Sequence, residues 1–135
     1  MPTREEISEI VIGSLAETLG IERNRISLDS ALVADLQAES IDFLDFIFRL
    51  EDAFNIEIDR DELFPNEIAR DPNAVQQNLI TEEGVEQIRR RLSFTDLPSL
   101  RAGMDIKTFM TEMLTVRVVV DYIQSKLNQS TALAG

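Results

Sequence analysis

Apolar residues in this chain recur at helical steps, and the stretches they mark are bounded by recognisable caps. Ile7, Ile10, Val11, Leu15 and Leu19 form one stripe of a helix predicted from about Arg4 to Leu19. Thr3 with Glu6 three places on is a capping-box signature ahead of it, and Gly20 is the expected left-handed stop. The stretch from Ile21 to Glu39 reads as a loop, yet Ile26, Leu28, Leu32, Val33 and Leu36 give it enough apolar content to pack down. A loop this long inside a compact domain is often functional. Ser30 is the expected cap of a short turn from Ala31 to Asp35.

A second helix is predicted from Ser40 to Phe54. At about 100° per residue, Phe43, Phe46, Ile47, Leu50 and Phe54 share one face, which is the core face. Ile41, Leu44 and Phe48 cluster on the opposite side, with Asp45 and Asp52 beside them. A helix of a small domain ordinarily has a polar back. This second apolar strip is either a docking surface with a charged rim or a face covered by the later part of the chain.

Downstream, Asp59 to Leu63 reads as a short acidic helical turn, and Pro65 and Pro72 bracket a polar stretch. Thr81 is the expected cap of a helix from Glu82 to Leu92, despite Gly84. Arg89, Arg90 and Arg91 lie at its C-terminal end, where the helix dipole favours cations; contact with acidic groups is the alternative role. Ser93 to Leu100 is loop-like, Asp105 caps a short helix from Ile106 to Leu114, and a last helix runs from Val116 to about Leu127. Val118, Val119 and Val120 suit a strand, but the apolar spacing continues through Ile123 and Leu127 and favours a helix. Residues 128–135 are expected to fray.

Composition removes several classes of function. The 135 residues contain no cysteine and no histidine, so disulfides, thiolate chemistry and the commonest general base and zinc ligand are excluded. The net charge is −12, from 25 acidic and 13 basic side chains. That charge disfavours nucleic acid and anionic membrane surfaces, and suits either basic protein partners or plain solubility. No apolar run is long enough to span a bilayer, and the N-terminus from Met1 lacks the features of a signal peptide, so a soluble cytoplasmic protein is expected. Nucleotide-binding and hydrolase motifs are absent, and Asp59-Arg60-Asp61-Glu62 lacks the glycine and distal glutamate of a calcium loop, so no catalytic residue and no metal site is expected.

What remains is Ser40, a hydroxyl at the start of the second helix among carboxylates. By itself a serine there reads most simply as a helix cap. The acidic helix and its second apolar strip favour a place where something is attached.

The segment Asp35-Leu36-Gln37-Ala38-Glu39-Ser40-Ile41-Asp42, followed by Phe48 to Ile58, resembles the acyl carrier protein family. Thr115 to Ile123 is similar to that family's final helix. The likeness covers residues 3–64 and about 114–127. It departs in having Gln37 where glycine is common, Glu39-Ser40-Ile41 in place of Asp-Ser-Leu, and an insert of about 65–113 before the last helix. The resemblance implies an all-α antiparallel four-helix bundle, enlarged by helices from the insert, forming a single carrier domain over residues 1–135. It implies 4′-phosphopantetheine attached covalently to Ser40 and carrying an acyl group as a thioester, in a specialised lipid or secondary-metabolite pathway. Implied partners are a phosphopantetheinyl transferase and acyl-processing enzymes with basic docking surfaces, meeting Glu39, Ile41, Asp42, Leu44, Asp45, Phe48 and Asp52. Phe43, Phe46, Ile47, Leu50 and Phe54 would line an acyl-chain pocket, or else simply pack the core. An aminoacyl or peptidyl carrier, and an unmodified acidic adaptor binding through the second helix, are the alternatives. The insert is expected to pack on the bundle or to cover the docking strip.

Overall fold

The computed structural model describes residues 2–134, and it is helical apart from one minimal hairpin. Helix α1 (Arg4–Leu19) begins on the expected capping box. The Thr3 hydroxyl accepts from the Glu6 amide at 3.2 Å, and the Glu6 carboxylate accepts from the Thr3 amide at 3.1 Å. Gly20 closes it with φ +67°. Ile7, Val11 and Leu15 are buried as their spacing requires, whereas Ile10 lies at the stripe's edge and is exposed. Helix α2 (Ser40–Phe54) packs against α1, and so does the last helix.

The segment between α1 and α2 is ordered by borrowed partners. Its Leu32 amide donates to the Leu114 carbonyl at 2.9 Å, and its Ser30 and Leu28 carbonyls accept from the Val116 and Arg117 amides. Ile26 and Leu32 are buried in the core. Ser30 does not cap the 31–35 turn as expected. The Asp35 carboxylate takes the Ala31 amide at 2.7 Å, and the Ser30 hydroxyl turns back to the Ser27 amide.

After α2 come α3 (Arg60–Leu63), capped by Asp59, and α4 (Asn66–Arg70). Strands β1 (Val75–Gln76) and β2 (Leu79–Ile80) then form an antiparallel hairpin, which the sequence reading did not foresee. Its turn, Gln77-Asn78, has positive φ at both residues, the mirror-image geometry that suits a two-residue hairpin. Helix α5 (Glu82–Arg91) is capped by Thr81, α6 (Ile106–Met113) by Asp105, and α7 spans Val116–Ala134. Gly84 is required rather than merely tolerated in α5, since a Cβ there would lie 2.2 Å from the Ala74 carbonyl oxygen. The four valines at 116 and 118–120 are all buried within α7, so packing overrides their strand preference. The frayed tail expected over 128–135 is helical as far as Ala134; Gly135, like Met1, lies outside the described residues.

The segment 65–113 shares its apolar interior with the helices around it. Ala74, Ile80, Ile88, Leu92 and Phe109 belong to the same buried cluster as Val11, Leu50 and Ile123. It packs on the bundle without hiding the outer strip of α2. The arginines at the end of α5 divide their roles. Arg89 donates to the Leu100 carbonyl at 3.3 Å, Arg91 donates to the Asp61 carbonyl at 3.3 Å and pairs with Glu67 at 3.6 Å, and Arg90 is exposed. Contact with an acidic residue thus accompanies helix-end stabilisation.

Candidate functional site

Ser40 occupies the first helical position of α2, and the cap is its neighbour. Glu39 has the extended φ of −104° of an N-cap, and its amide is held by the Asp42 carboxylate at 2.8 Å. Ser40 is exposed, and among the described residues its hydroxyl has no hydrogen-bond partner. The capping role that a serine here could play is therefore filled by other residues, which leaves the Ser40 Oγ open to solvent. The approach to it turns sharply at Gln37, whose φ of +59° is the left-handed conformation that glycine adopts most cheaply.

This position suits an attached phosphodiester. The first-turn amides of a helix lack carbonyl partners within the helix and, together with the dipole, favour negative charge. The nearby carboxylates of exposed Glu39 and half-buried Asp42 oppose it, but Asp42 is already bonded to the Glu39 amide and the helix start is open to water, which keeps such repulsion small.

The outer strip of α2 is open. Ile41, Leu44 and Phe48 are 72%, 41% and 61% exposed. The acids around them are not equivalent. Asp45 accepts from Arg49 at 2.8 Å and from the Thr18 hydroxyl at 3.0 Å, and these bonds hold its carboxyl below the usual aspartate range. Asp42 is occupied by the Glu39 amide, while Glu39 and Asp52 are exposed. A cleft of about 610 Å³ adjoins the strip, where Leu44, Ile47 and Phe48 face Ile58, Glu62 and Lys126.

Of the five residues of the opposite face, Phe43, Phe46, Leu50 and Phe54 turn to the core, and Ile47 is buried at the floor of that cleft. Phe46, Ile47, Leu50 and Phe54 are buried, and Phe43 is half-buried with its ring edge-on to Phe64 at a centroid distance of 5.1 Å. Phe64 was not among the sequence candidates, because it lies beyond a helical turn too short to show a periodic face. Among the described residues no cluster of acidic, cysteine or histidine side chains is arranged to hold a metal ion, and no helix is long and apolar enough to cross a membrane.

Residues 9–70 match the family model described as phosphopantetheine attachment site. The chain is 38% identical over 60 residues to an acyl carrier protein of Lactobacillus johnsonii, a span covering 44% of this chain and 75% of that one. It is 37% identical over 57 residues to an acyl carrier protein of Guillardia theta, covering 42% and 70% of the two chains. It is 32% identical over 63 residues to an acyl carrier protein of Thermotoga maritima, covering 47% and 78%.

Proposed function

The chain belongs to the acyl carrier protein family, whose prosthetic group is a covalently attached 4′-phosphopantetheine, and on that premise we propose that Ser40 is its attachment point. The observation that carries the assignment is the unpartnered, exposed hydroxyl at the start of α2. The other serines within the matched residues differ from it. Ser14 is half-buried within α1, and Ser27 and Ser30 are engaged with each other. When bound, the arm supplies a terminal thiol that holds an acyl group as a thioester. Ser40 contributes its Oγ to a new bond to phosphorus, the pyrophosphate bond of coenzyme A breaks, 3′,5′-ADP leaves, and the hydroxyl proton passes to a base on the transferase.

The partners proposed are a phosphopantetheinyl transferase and acyl-processing enzymes that present basic surfaces. The open strip of Ile41, Leu44 and Phe48 supplies apolar anchors for them, and the exposed carboxylates of Glu39, which also caps α2, and Asp52 supply charge. The net charge of −12 would draw such surfaces in over long range. The role proposed is that of a carrier rather than an enzyme, working in the cytoplasm beside the coenzyme A that loads it. We treat 65–113 as an addition within one carrier domain, and its presence favours a dedicated lipid or secondary-metabolite pathway.

Incubation with coenzyme A and a transferase of broad specificity tests the reading. One phosphopantetheine of added mass is expected on the wild type and none on Ser40→Ala. A folded wild-type protein that gains no mass would instead point to an acidic adaptor, and mass spectrometry of protein isolated from its host would separate acyl from aminoacyl cargo.

A further inference from the structure

Cations are scarce in this chain, and most of those outside residues 65–113 are already paired. Arg4, Arg23, Arg49, Arg117 and Lys126 each meet a carboxylate at 2.7–3.0 Å. Residues 65–113 hold six of the 13 cations against eight of the 25 acids, so this segment is close to neutral while the rest of the chain carries most of the −12 charge. Within it, Arg89, Arg90 and Arg101 are exposed and, among the described residues, have no carboxylate partner. The other unpaired cations stand singly on different elements: Arg25 in the turn 23–25, Arg60 on α3, Arg70 on α4 and Lys107 on α6.

Two segments of the chain build the cluster. The dipole at the end of α5 favours Arg89 and Arg90 there. It does not account for Arg101, which lies on no helix. Arg101 follows a turn that buries Leu97 and Leu100 and bonds the Leu100 amide to the Leu97 carbonyl at 3.1 Å. The Arg89 guanidinium donates to the Leu100 carbonyl at 3.3 Å, and so lies against the peptide bond that joins Leu100 to Arg101. Glu86, one turn before Arg90, and Asp96, in the loop that follows, are exposed, and neither pairs with the cluster. Arg91 reaches the other way and bonds the Asp61 carbonyl of α3, and Asp61 lines the cleft beside the α2 strip. The cluster thus adjoins the proposed docking face and has the opposite sign.

Guanidinium forks take carboxylates through paired hydrogen bonds. An extended polyanion, such as DNA or an anionic membrane, would also meet the acidic remainder of the chain. A few carboxylates on a folded partner meet only the patch, because exposed charges more than about 8 Å away are largely screened at physiological salt. We propose that Arg89, Arg90 and Arg101 form a second docking surface, which takes exposed carboxylates of the enzyme that acylates this chain's arm. That enzyme meets α2 with basic groups and the end of α5 with acidic ones. An enzyme whose docking surface is basic throughout is repelled by the same arginines, so the patch selects among carrier-binding enzymes. The inference rests on Ser40 carrying the arm.

The test loads the arm with coenzyme A and a transferase of broad specificity, then follows by intact mass the acyl group that an extract of the producing cells adds to it. The combined variant Arg89→Glu, Arg90→Glu, Arg101→Glu should load at Ser40 as the wild type does. Its half-saturating concentration in the extract should rise at least about tenfold with little change in maximal rate, which marks lost docking rather than altered chemistry. Glutamine at the three positions should give a smaller rise of about threefold, lysine should recover most of the loss, and about 0.5 M salt should bring the variants together. If the glutamate form does not fold, the glutamine form replaces it. A folded variant acylated like the wild type overturns the inference, as does a lysine form as poor as the glutamate form, which would mean shape rather than charge. Binding of a DNA duplex or an anionic vesicle through these arginines overturns it in favour of a polyanion, and a loaded wild type that the extract leaves bare overturns it for want of an acylating partner. A wild type that cannot be loaded overturns the attachment reading and this inference together, whereas a loaded chain indifferent to these charges overturns this inference alone.

Discussion

Replacing Gly84 with alanine should unseat α5 from the hairpin. The new methyl would meet the Ala74 carbonyl oxygen at 2.2 Å and the Ile80 Cγ2 atom at 3.0 Å. Relief needs a shift of about 1 Å of α5 away from β1, since non-bonded heavy atoms settle well beyond such a distance. Ala74 O also accepts from the Thr81 amide at 2.9 Å and from the Thr81 hydroxyl at 3.1 Å, so the shift stretches both bonds. Overpacking costs about 1–3 kcal/mol, and each weakened hydrogen bond up to about 1 kcal/mol. Alanine's helix preference returns at most about 1 kcal/mol. The expected net loss is about 2–4 kcal/mol, read as a fall of roughly 10 °C in the unfolding midpoint by circular dichroism. Glu86→Ala, on an exposed position of the same helix, is the control and should stay within about 0.5 kcal/mol of wild type. A Gly84→Ala protein that melts at or above the wild type would mean that helix preference wins and that the close approach of Ala74 to α5 is not real.

Three further outcomes are expected. Gln37→Gly should be up to about 1 kcal/mol more stable than wild type in urea titration, because relief of the left-handed strain slightly exceeds glycine's added chain entropy; a loss above about 1 kcal/mol contradicts the positive φ. Tyr122 is the only tyrosine, so its absorbance titration reads one group. Burial, and then the neighbouring Glu62 charge, push its hydroxyl well above the ordinary value of about 10. The folded-state value is raised, so its contribution is complete below the unfolded pKa and is lost as pH rises through the alkaline range; tyrosinate should appear only as the fold is lost, and reversible ionisation near pH 10 in the folded chain refutes the burial. Phe48→Ala should slow transferase modification of Ser40 by about tenfold with little change in melting temperature, and an unchanged rate removes Phe48 from the docking surface.

The parts of the fold that were legible in the sequence are those where local chemistry and the global fold agree. The Thr3–Glu6 box, Thr81 and Asp105 mark helix starts that the structure keeps, because each satisfies an amide that would otherwise be orphaned, and Gly20 marks an end, where its amide donates to the Ala16 carbonyl. The two faces of α2 were equally readable, since period alone separates Phe46 and Leu50 from Ile41 and Phe48. The β1–β2 hairpin was not, because its strands are two residues long and its Gln77-Asn78 turn lacks the glycine that usually signals positive φ. Ser30 misled because its hydroxyl accepts from the Ser27 amide instead, while the charged Asp35 carboxylate, a stronger acceptor, takes the Ala31 amide of the turn. At the candidate site, sequence favoured attachment at Ser40 over capping from the acidic helix and its second apolar strip. That the cap is Glu39, with its amide held by Asp42, is a structural observation, and attachment at Ser40 is what we propose. The Phe43–Phe64 contact and the clamp of Arg91 on α3 join residues distant along the chain, which no local pattern encodes.

The most direct measurement is the mass of the protein purified from the cells that make it, together with fragmentation of the peptide that contains Ser40. The account predicts a phosphopantetheine, bare or acylated, on that hydroxyl and on no other residue. An unmodified Ser40 peptide alongside a modified serine elsewhere, or a native protein that bears no arm when its transferase is present, would contradict it.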